Sequence, residues 1–382
     1  MASEPVDLSV IIPTYNEALN VPILIGKIKD ALSEMPHEII VVDDNSPDRT
    51  WEVAEKIARE DASVRVIRRI HDRGLSSAVI SGMEVAAGRV FAVIDADMQH
   101  DETALPEMTR RILSGEHDIA IGSRGIEGGS YGEWSRSRRF VSWVAATLAH
   151  IMLPVKVKDP MSGFFTISRE QFRKTAELIN PRGFKILLEF IGRDRQARIT
   201  EVGYTFRNRI HGETKLSGMV IKNYLVALYD LRFGKYVSPT FLLYSIVGAT
   251  GVLVNMAGFG FGELTGMPHV TTGISSIDPL YLSVPFGIQL SIITNYILNN
   301  YFTFHEKRFR GAEHLRGFFS FELVSMLGLV IQTGVFQLLQ TNGFLEGPVD
   351  EAVRKYLNNA IGIVVAVVSN YYLNVNFTWN RK

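Results

Sequence analysis

The chain has 382 residues, 40 Lys and Arg against 40 Asp and Glu, and no cysteine. This length allows two or three domains, the lack of cysteine excludes disulfides and cysteine-ligated metals, and the zero net charge argues against a protein that coats nucleic acid. The charge is unevenly spread, because residues 236–382 hold only 16 of the 80 charged side chains. A tail so poor in charge predicts a membrane domain. The N-terminus is acidic and polar and does not resemble a secretory signal, so we expect the head to stay in the cytoplasm.

Over residues 8–125, short apolar runs alternate with segments whose apolar residues recur with the period of an α-helix. The predicted strands are 8–12, 38–42, 64–68, 90–94 and 119–121, and the predicted helices are 21–35, 49–60, 76–87 and 102–113. This alternation predicts an α/β fold with a mostly parallel sheet that has helices on both faces. Ligands bind such sheets beyond the carboxyl ends of the strands, so the residues that follow each strand are the candidates for function.

Acidic and aromatic side chains follow three of the predicted strands. The first strand runs into 13–17 (Pro-Thr-Tyr-Asn-Glu), the second into 43–46 (Asp-Asp-Asn-Ser) and the fourth into 95–99 (Asp-Ala-Asp-Met-Gln). No strand is followed by a glycine-rich dinucleotide fingerprint or a Walker loop. Because carboxylates near the phosphates of a nucleotide need a cation between them, these strand ends predict a metal-dependent nucleotide site.

Asp95, Asp97 and Gln99 offer oxygen ligands where the chain leaves the fourth strand. Hard oxygens suit Mg²⁺ or Mn²⁺, which bind one or two carboxylates together with substrate phosphates. A polar turn that caps the next helix would explain a lone Asp-x-Asp equally well. The acids at three strand ends favour the metal site over the turn.

The three strand ends resemble the signature segments of glycosyltransferase family 2, which has the A-type nucleotide-sugar fold. Other segments are similar to the dolichyl- and polyprenyl-phosphate mannose synthases within that family: 122–124 (Gly-Ser-Arg), 159–164 (Asp-Pro-Met-Ser-Gly-Phe), 183–189 (Gly-Phe-Lys-Ile-Leu-Leu-Glu) and 207–217 (Arg-Asn-Arg-Ile-His-Gly-Glu-Thr-Lys-Leu-Ser). The resemblance implies transfer of mannose from GDP-mannose to dolichyl or polyprenyl phosphate, with inversion, giving dolichyl β-D-mannosyl phosphate and GDP.

The resemblance also implies roles for individual residues. It implies that the nucleoside is held by Pro13, Tyr15, Glu17, Val42 and Asp44. It implies that the metal and the diphosphate-sugar meet Asp95, Ala96, Asp97 and Gln99, and that catalysis depends on Asp95, Asp97, Gln99 and Arg124. The implied contacts to the acceptor phosphate are Arg124, Arg138 and Ser142, and those to the donor include Arg209 and Lys215.

The chemistry of a lipid phosphate acceptor fits a site without a general base. The second pKa of a phosphomonoester is about 6, so such an acceptor is largely dianionic at neutral pH. The residues alone do not fix the base or the sugar of the donor, so a UDP-glucose-type donor is the alternative. A translocase of lipid-linked sugars, in which the tail transports and the head only binds, is the alternative from a different class.

Two segments, 136–152 and 218–235, combine basic residues with apolar and aromatic ones, as interfacial helices do. A core helix is the alternative for each. The predicted domains are therefore a catalytic domain over 1–217 that includes the first of these helices, a second interfacial helix or linker over 218–235, and a membrane domain over 236–382.

Four uncharged stretches of the tail are long enough to cross a bilayer, namely 240–262, 279–304, 323–345 and 356–380. Lys and Arg are concentrated in the connector 305–316, which predicts that this loop and both termini lie on the cytoplasmic side of a multi-pass protein in the cell membrane. The oligomeric state is left open.

The second and fourth stretches end alike. Residues 295–304 (Asn-Tyr-Ile-Leu-Asn-Asn-Tyr-Phe-Thr-Phe) and 370–379 (Asn-Tyr-Tyr-Leu-Asn-Val-Asn-Phe-Thr-Trp) share six of ten positions. This pattern predicts two repeated hairpins whose asparagines face other helices, with a polar path for a lipid headgroup as the functional alternative. The tail resembles the GtrA-like membrane domain, a family tied to polyprenyl-linked sugars.

Overall fold

The computed structural model describes residues 6–153, 156–179, 185–208, 218–271, 279–344 and 350–380. The chain divides into two compact units, Met1–Lys235 and Tyr236–Lys382. The first carries a seven-stranded sheet, and the second carries the long apolar helices.

Strands and helices alternate along the first unit. In chain order its elements are β1 (Leu8–Thr14), α1 (Val21–Ala31), β2 (His37–Asp43), α2 (Thr50–Glu60), β3 (Val64–Arg68), α3 (Leu75–Val85), β4 (Val90–Val93), α4 (Leu105–Leu113), β5 (Ile119–Ser123), α5 (Arg136–Met152), β6 (Phe165–Ser168), α6 (Arg169–Thr175), α7 (Ile186–Arg193), β7 (Ile199–Gly203) and α8 (Gly218–Phe233). All five predicted strands and all four predicted helices are present, with bounds that shift by a few residues.

The sheet has the order β3-β2-β1-β4-β6-β5-β7. All neighbouring strands are parallel except β6, which runs antiparallel to both β4 and β5. The chain winds outward from β1 to β2 and β3 on one side and continues with β4 on the other. The carboxyl ends of β1 and β4 therefore flank the switch point of the sheet, where α/β folds bind ligands.

Helices cover both faces of this sheet. One face packs α1 and α4 against the strands through residues such as Leu24, Ile28 and Met108, and the other packs α3 and α7 through Val79 and Leu187. Every residue of β1 is buried, as expected for a strand that is covered on both sides. The predicted mostly parallel, two-faced α/β architecture is confirmed.

The described part of the second unit contains four α-helices and a pair of short antiparallel strands. The elements are α9 (Pro239–Leu264), β8 (His269–Val270), β9 (Leu280–Tyr281), α10 (Ser283–Leu298), α11 (Glu313–Thr341) and α12 (Glu351–Leu373). A π-helical turn continues α10 over Asn299–Thr303, and another continues α12 over Asn374–Thr378.

Three helices of the described residues are long and apolar enough to span a membrane: Pro239–Leu264, Glu313–Thr341 and Val353–Thr378. The predicted count of four is therefore only approximate. The remaining predicted span forms α10, which has 16 residues before its five-residue π turn. Its helix starts later than the apolar run because part of the run pairs as β9 with β8.

The repeated sequence corresponds to a repeated packing arrangement. In the first hairpin Asn295 of α10 lies against Gly251 of α9, where a Cβ would come 2.3 Å from the amide nitrogen of Asn295. In the second hairpin Asn370 of α12 lies against Gly328 of α11, with a corresponding distance of 2.2 Å. Glycine is thus required at both positions for the asparagine to reach the neighbouring helix.

Candidate active site

The loops after β1, β2 and β4 share an unusual backbone conformation. Asn16, Asn45 and Met98 all have positive φ, at 62°, 54° and 65°. A left-handed conformation is costly for a residue such as methionine, and such residues concentrate at functional sites. The three loops meet at one edge of the sheet, since their strands are adjacent and parallel.

Asp97 and Gln99 lie on either side of Met98 and are both buried. The backbone N–H of Gln99 donates to Asp97 Oδ1 at 3.1 Å, and the side-chain amide nitrogen of Gln99 donates to the carbonyl of Arg207 at 3.2 Å. This contact fixes the orientation of the amide group, whose oxygen is the atom that can bind a cation. The turn between the two residues therefore fixes the position of two oxygen-bearing side chains.

Asp95 is more accessible, with 33% of its side chain exposed. Its Oδ2 lies 3.3 Å from His100 Nε2, and His100 Nδ1 lies 2.8 Å from the hydroxyl of Tyr204. On another side, a Cβ on Gly163 would come 2.7 Å from Asp95 Oδ2. The Asp95 carboxylate thus occupies a space that exists because residue 163 has no side chain, and His100 orients it.

No three His, Asp or Glu side chains of the described residues converge on a point where they would hold a metal ion by themselves. Two carboxylates and an amide, completed by phosphate oxygens, are nevertheless a ligand set that Mg²⁺ commonly uses. Asp95, Asp97 and Gln99 therefore fit a cation that the substrate helps to hold. Ala96, which lies between the two carboxylates, is buried in the core.

The acids at the end of β2 are engaged in internal contacts. Asp43 accepts hydrogen bonds from Thr14 and from Ser46, which joins the end of β2 to that of β1. Asp44 is buried, with Oδ1 2.6 Å from a guanidinium nitrogen of Arg69 and Oδ2 accepting from the Gly74 N–H at 2.7 Å. Asp44 therefore fixes the loop before α3, and any contact to a ligand would have to be made alongside Arg69.

The other predicted nucleoside residues differ in accessibility. Tyr15 is 38% exposed, and the guanidinium of Arg73 lies 5.5 Å from the centre of its ring. Glu17 accepts from Asn20 at 2.7 Å. Pro13 is a buried strand residue, and Val42 is fully buried in the core beneath the sheet. The side chain of Val42 has no exposed surface with which to meet a nucleoside.

Arg124 follows β5 and forms a buried, bidentate ion pair with Asp159. Its Nε and Nη2 donate to the two carboxylate oxygens at 2.6 and 2.8 Å. Burial alone would lower the pKa of Arg124, but the hydrogen bonds and charge of Asp159 outweigh it and raise that pKa above the usual value. A phosphate could bind this guanidinium only alongside Asp159, which already pairs with it.

Arg124 and Arg138 meet around the same two aromatic rings. The Arg124 guanidinium lies 5.0 Å from the centre of Trp134 and 5.2 Å from that of Phe206, and the corresponding distances for Arg138 are 4.1 and 5.8 Å. Ser142 lies one turn beyond Arg138 on α5, a spacing that places both on one helix face. The structure thus brings together two of the three predicted acceptor-phosphate residues and places the third one turn away.

The segment after β7 crosses the loop that carries Asp97. The backbone N–H of Arg207 donates to the Gln99 carbonyl at 2.8 Å, and its guanidinium donates to Asp101 and Glu102. The predicted donor-binding residues Arg209 and Lys215 lie outside the described residues.

Several residues of this edge were not assigned from the sequence. His100 and Tyr204 form the chain of contacts that ends on Asp95, and Asp159 binds Arg124. Lys185 donates from Nζ to the carbonyl of Met161 at 3.1 Å. Asp159 and Lys185 lie within segments that resemble the mannose synthases, and His100 directly follows the segment 95–99, so these positions are the signal that the sequence offers.

Two family models match the chain. One is "Glycosyl transferase family 2", over residues 9–176, and the other is "GtrA/DPMS, transmembrane domain", over residues 243–379. Among solved structures, glucosyl-3-phosphoglycerate synthase from Mycobacterium tuberculosis in complex with Mn²⁺ and UDP-glucose is a distant likeness: it is 21% identical with a TM-score of 0.45, and covers 59% of this chain and 79% of that chain.

Relatives match over longer stretches. A dolichol-phosphate mannosyltransferase from Pyrococcus furiosus is 38% identical over 374 residues, which are 97% of this chain and 99% of the relative. A protein of the same name from Saccharomyces cerevisiae is 36% identical over 63% of this chain and 92% of its own length. An undecaprenyl-phosphate mannosyltransferase from Micrococcus luteus is 34% identical over 55% of this chain and 88% of its own length. The chain is a membrane protein that belongs to the dolichol-phosphate mannosyltransferase family, with a family 2 glycosyltransferase domain followed by a GtrA/DPMS membrane domain.

Proposed function

We propose that this protein transfers mannose from GDP-mannose to dolichyl or polyprenyl phosphate. The observation that carries the proposal is that Asp95, Asp97 and Gln99 all lie in the loop that follows β4, at the switch point of the sheet, in a chain that a dolichol-phosphate mannosyltransferase matches over almost its whole length. Relatives named for dolichol phosphate and for undecaprenyl phosphate both support a polyprenyl phosphate as the acceptor class.

Asp95, Asp97 and Gln99 would hold Mg²⁺ or Mn²⁺ in this proposal. The cation would neutralise the charge that develops on the leaving diphosphate. The protein supplies the positions: the hydrogen bond from Gln99 to Asp97 and the contact of His100 with Asp95 hold the ligand oxygens before substrate arrives. Asp95, the more exposed carboxylate, would reach either the metal or the sugar of the donor.

The nucleoside would bind over the ends of β1 and β2. Tyr15 offers an exposed ring and Glu17 a carboxylate, while Asp44 would act by fixing the loop at Gly74. Pro13, Val42 and Ala96 would contribute through the shape of the backbone, since all three are buried. Arg209 and Lys215 stay in the proposal as donor contacts on the resemblance alone.

The acceptor phosphate would bind at the start of α5. Arg138 and Ser142 share a helix face there. Arg124, which its ion pair with Asp159 holds in place, would line the same region together with Trp134. A dianionic phosphate oxygen is itself the nucleophile, so no side chain has to remove a proton. A single displacement would invert the anomeric carbon and give a β-linked product from an α-linked donor.

The surface of α5 supports membrane association of the catalytic domain. Phe140, Trp143 and Ile151 are strongly exposed, and Arg136 and Arg139 flank them at the start of the helix. Exposed aromatic side chains beside arginines are typical of a helix that lies in the headgroup region. On α8, Ile221 and Leu225 are exposed whereas Leu228 and Leu231 are buried in the core, so α8 would serve both as a core helix and as an interfacial one.

The proposed topology places the catalytic domain and both termini in the cytoplasm. It rests on the Lys and Arg residues of the connector 305–316. We place the domain boundaries after 217 and after 235, with the four predicted helices of the tail as two hairpins. Cysteine labelling of single-cysteine variants is straightforward because the chain has no cysteine, and a label at residue 310 should react only from the cytoplasmic side.

Two alternatives have less support. A UDP-glucose-type donor would be compatible with the same edge of the sheet, but the relatives cited above are mannosyltransferases by name. Transport of lipid-linked sugar as the main activity would favour ionisable side chains inside the spans, and the four predicted spans contain no Asp, Glu, Lys or Arg.

A donor panel tests the proposal. The purified full-length chain would be incubated with polyprenyl phosphate and radiolabelled GDP-mannose, UDP-glucose or other GDP- and UDP-sugars, and the lipid phase would be extracted. We expect label in the lipid phase with GDP-mannose and a β-linked product. Label in the lipid phase with UDP-glucose alone would show that UDP-glucose, and not GDP-mannose, is the donor. An α-linked product would exclude the single displacement.

A further inference from the structure

Lys185 lies at the active-site edge of the sheet and has no role in the reaction proposed above. It precedes α7 directly and occupies the N-cap position of that helix. Its side chain is directed away from the helix to the segment 159–164, where Nζ donates to the carbonyl of Met161 at 3.1 Å. This is the segment that enters β6, the antiparallel strand between β4 and β5.

The segment 159–164 links the two halves of the site. Its first residue, Asp159, pairs with Arg124, and Gly163 adjoins the carboxylate of Asp95. Because β6 is antiparallel to its neighbours, the segment that precedes it lies at the same edge as the residues that follow β4 and β5. The ammonium of Lys185 is therefore held between the proposed metal site and the proposed acceptor region.

The Lys185 ammonium lacks an ion-pair partner among the described residues, where its recorded contact is the neutral carbonyl of Met161. An ammonium has three N–H donors, so one carbonyl leaves donors for another group. Burial lowers its pKa, Arg124 lowers it further, and the charges of Asp95 and Asp159 oppose the change. Lys185 is half-buried, and a partly desolvated cation without an ion-pair partner is stabilised when an anion binds to it.

We propose that Lys185 binds a phosphate oxygen of the substrates during mannosyl transfer. The inference rests on the proposed function, because it takes the anion from the donor diphosphate or from the acceptor phosphate. The chemistry is the same for either source: a charge-assisted hydrogen bond from an ammonium to a phosphate oxygen. The Met161 carbonyl orients Nζ, and Asp159 keeps the Arg124 guanidinium paired, so Lys185 supplies positive charge at this edge.

Three substitutions separate charge from structure. Lys185→Gln keeps a donor for the Met161 carbonyl but removes the charge, Lys185→Met removes both, and Lys185→Arg keeps the charge. Lys56→Met is the matched control, because Lys56 is exposed on α2, away from the site. The full-length proteins would be compared in detergent by calorimetric titration with GDP in the presence of Mg²⁺, by titration with polyprenyl phosphate, and by kcat and KM for both substrates.

We expect Lys185→Gln and Lys185→Met to weaken the binding of at least one ligand, or to lower kcat, by about tenfold or more, because hydrogen bonds to charged groups are among the stronger ones. Lys185→Arg should retain more activity than either. Loss confined to the GDP titration identifies the donor as the source of the anion, and loss confined to polyprenyl phosphate identifies the acceptor.

The inference is overturned if Lys185→Gln behaves like the unmodified protein while Lys185→Met does not, since that result assigns Lys185 to the Met161 contact alone. It is equally overturned if both variants stay within about twofold of the control. Failure of the unmodified protein to bind GDP or transfer mannose is a different outcome, which contradicts the proposed function itself.

Discussion

The two units bury polar side chains by different means. The first unit buries charges in pairs, as in Arg124–Asp159 and Arg69–Asp44, whose side chains are all nine-tenths buried or more. The second unit buries neutral amides, including Asn299, Asn300, Asn358 and Asn374. Charge is expensive inside a bilayer, whereas a soluble domain tolerates it when it is paired. The buried side chains of each unit thus match the solvent that we expect around it: paired charges in the catalytic domain and neutral amides in the membrane domain.

One difference between the two hairpins of the second unit removes a hydrogen bond from one of them. Tyr244 of α9 packs on Tyr371 and Phe304, and Phe321 of α11 packs correspondingly on Tyr296 and Trp379. The Tyr244 hydroxyl accepts a hydrogen bond from Asn374, and Asn374 in turn accepts one from Thr378. Phenylalanine at 321 has no hydroxyl.

The repeat counterparts of Asn374 and Thr378 are Asn299 and Thr303. The amide oxygen of Asn299 and the hydroxyl of Thr303 are buried and have no hydrogen-bond partner among the described residues. The repeat is therefore symmetric in its aromatic packing but not in its hydrogen bonds.

The largest effect should follow from Asp97→Asn. Loss of a carboxylate at the proposed metal site should lower kcat by about 100-fold or more, because a bound cation contributes several kcal/mol to stabilising developing charge. Thermal unfolding should change little. The same substitution at Asp30, an exposed residue of α1, is the control and should leave transfer intact. Equal activity of the two variants would show that the first unit does not use this carboxylate.

Arg124→Met tests the paired charges of the first unit. It leaves Asp159 buried without a partner, which should reduce the free energy of unfolding by about 3–5 kcal/mol. The measurement is chemical denaturation followed by tryptophan fluorescence. The double variant Arg124→Met, Asp159→Leu should recover much of the stability but not the transfer activity. Full stability of the single variant would mean that the ion pair does not hold the site.

Asn374→Ala and Asn299→Ala compare the hairpins directly. Asn374→Ala removes the hydrogen bonds to Tyr244 and Thr378, which should lower the free energy of unfolding by about 1 kcal/mol. Asn299→Ala should lower it less, because the amide oxygen of Asn299 has no hydrogen-bond partner among the described residues. Thermal denaturation in one detergent gives the order of the two variants. A larger loss for Asn299 would indicate a bound group that its amide oxygen contacts.

Phe321→Tyr should have the smallest effect. A hydroxyl at this position would give Asn299 the counterpart of the Tyr244 bond, with a gain of about 0.6 kcal/mol. Tyr244→Phe is the reciprocal change and should lose a similar amount. The two melting temperatures should therefore shift in opposite directions, and a decrease for both would show that the hairpins are not equivalent at this position.

The sequence predicts the sheet well because each central strand is a short apolar run with polar residues at its carboxyl end. It also predicts that Asp95, Asp97 and Gln99 lie beyond the carboxyl end of one strand, since all three directly follow β4. It does not reveal that Arg124 is paired, because Asp159 is 35 residues away and reaches it only through the antiparallel β6. It does not reveal either that the side chain of Val42 is fully buried, because alternation within a strand decides which face of the sheet a side chain joins and a motif match does not. The role of Val42 at the nucleoside stays a prediction.

Chelation of divalent cations tests the central claim most directly. Transfer of radiolabelled mannose from GDP-mannose to polyprenyl phosphate would be measured with the full-length protein in excess EDTA, and again after Mg²⁺ or Mn²⁺ is restored. We expect transfer to stop in EDTA and to resume with the metal. Transfer at the full rate in excess EDTA would contradict a reaction in which Asp95, Asp97 and Gln99 act through a bound cation.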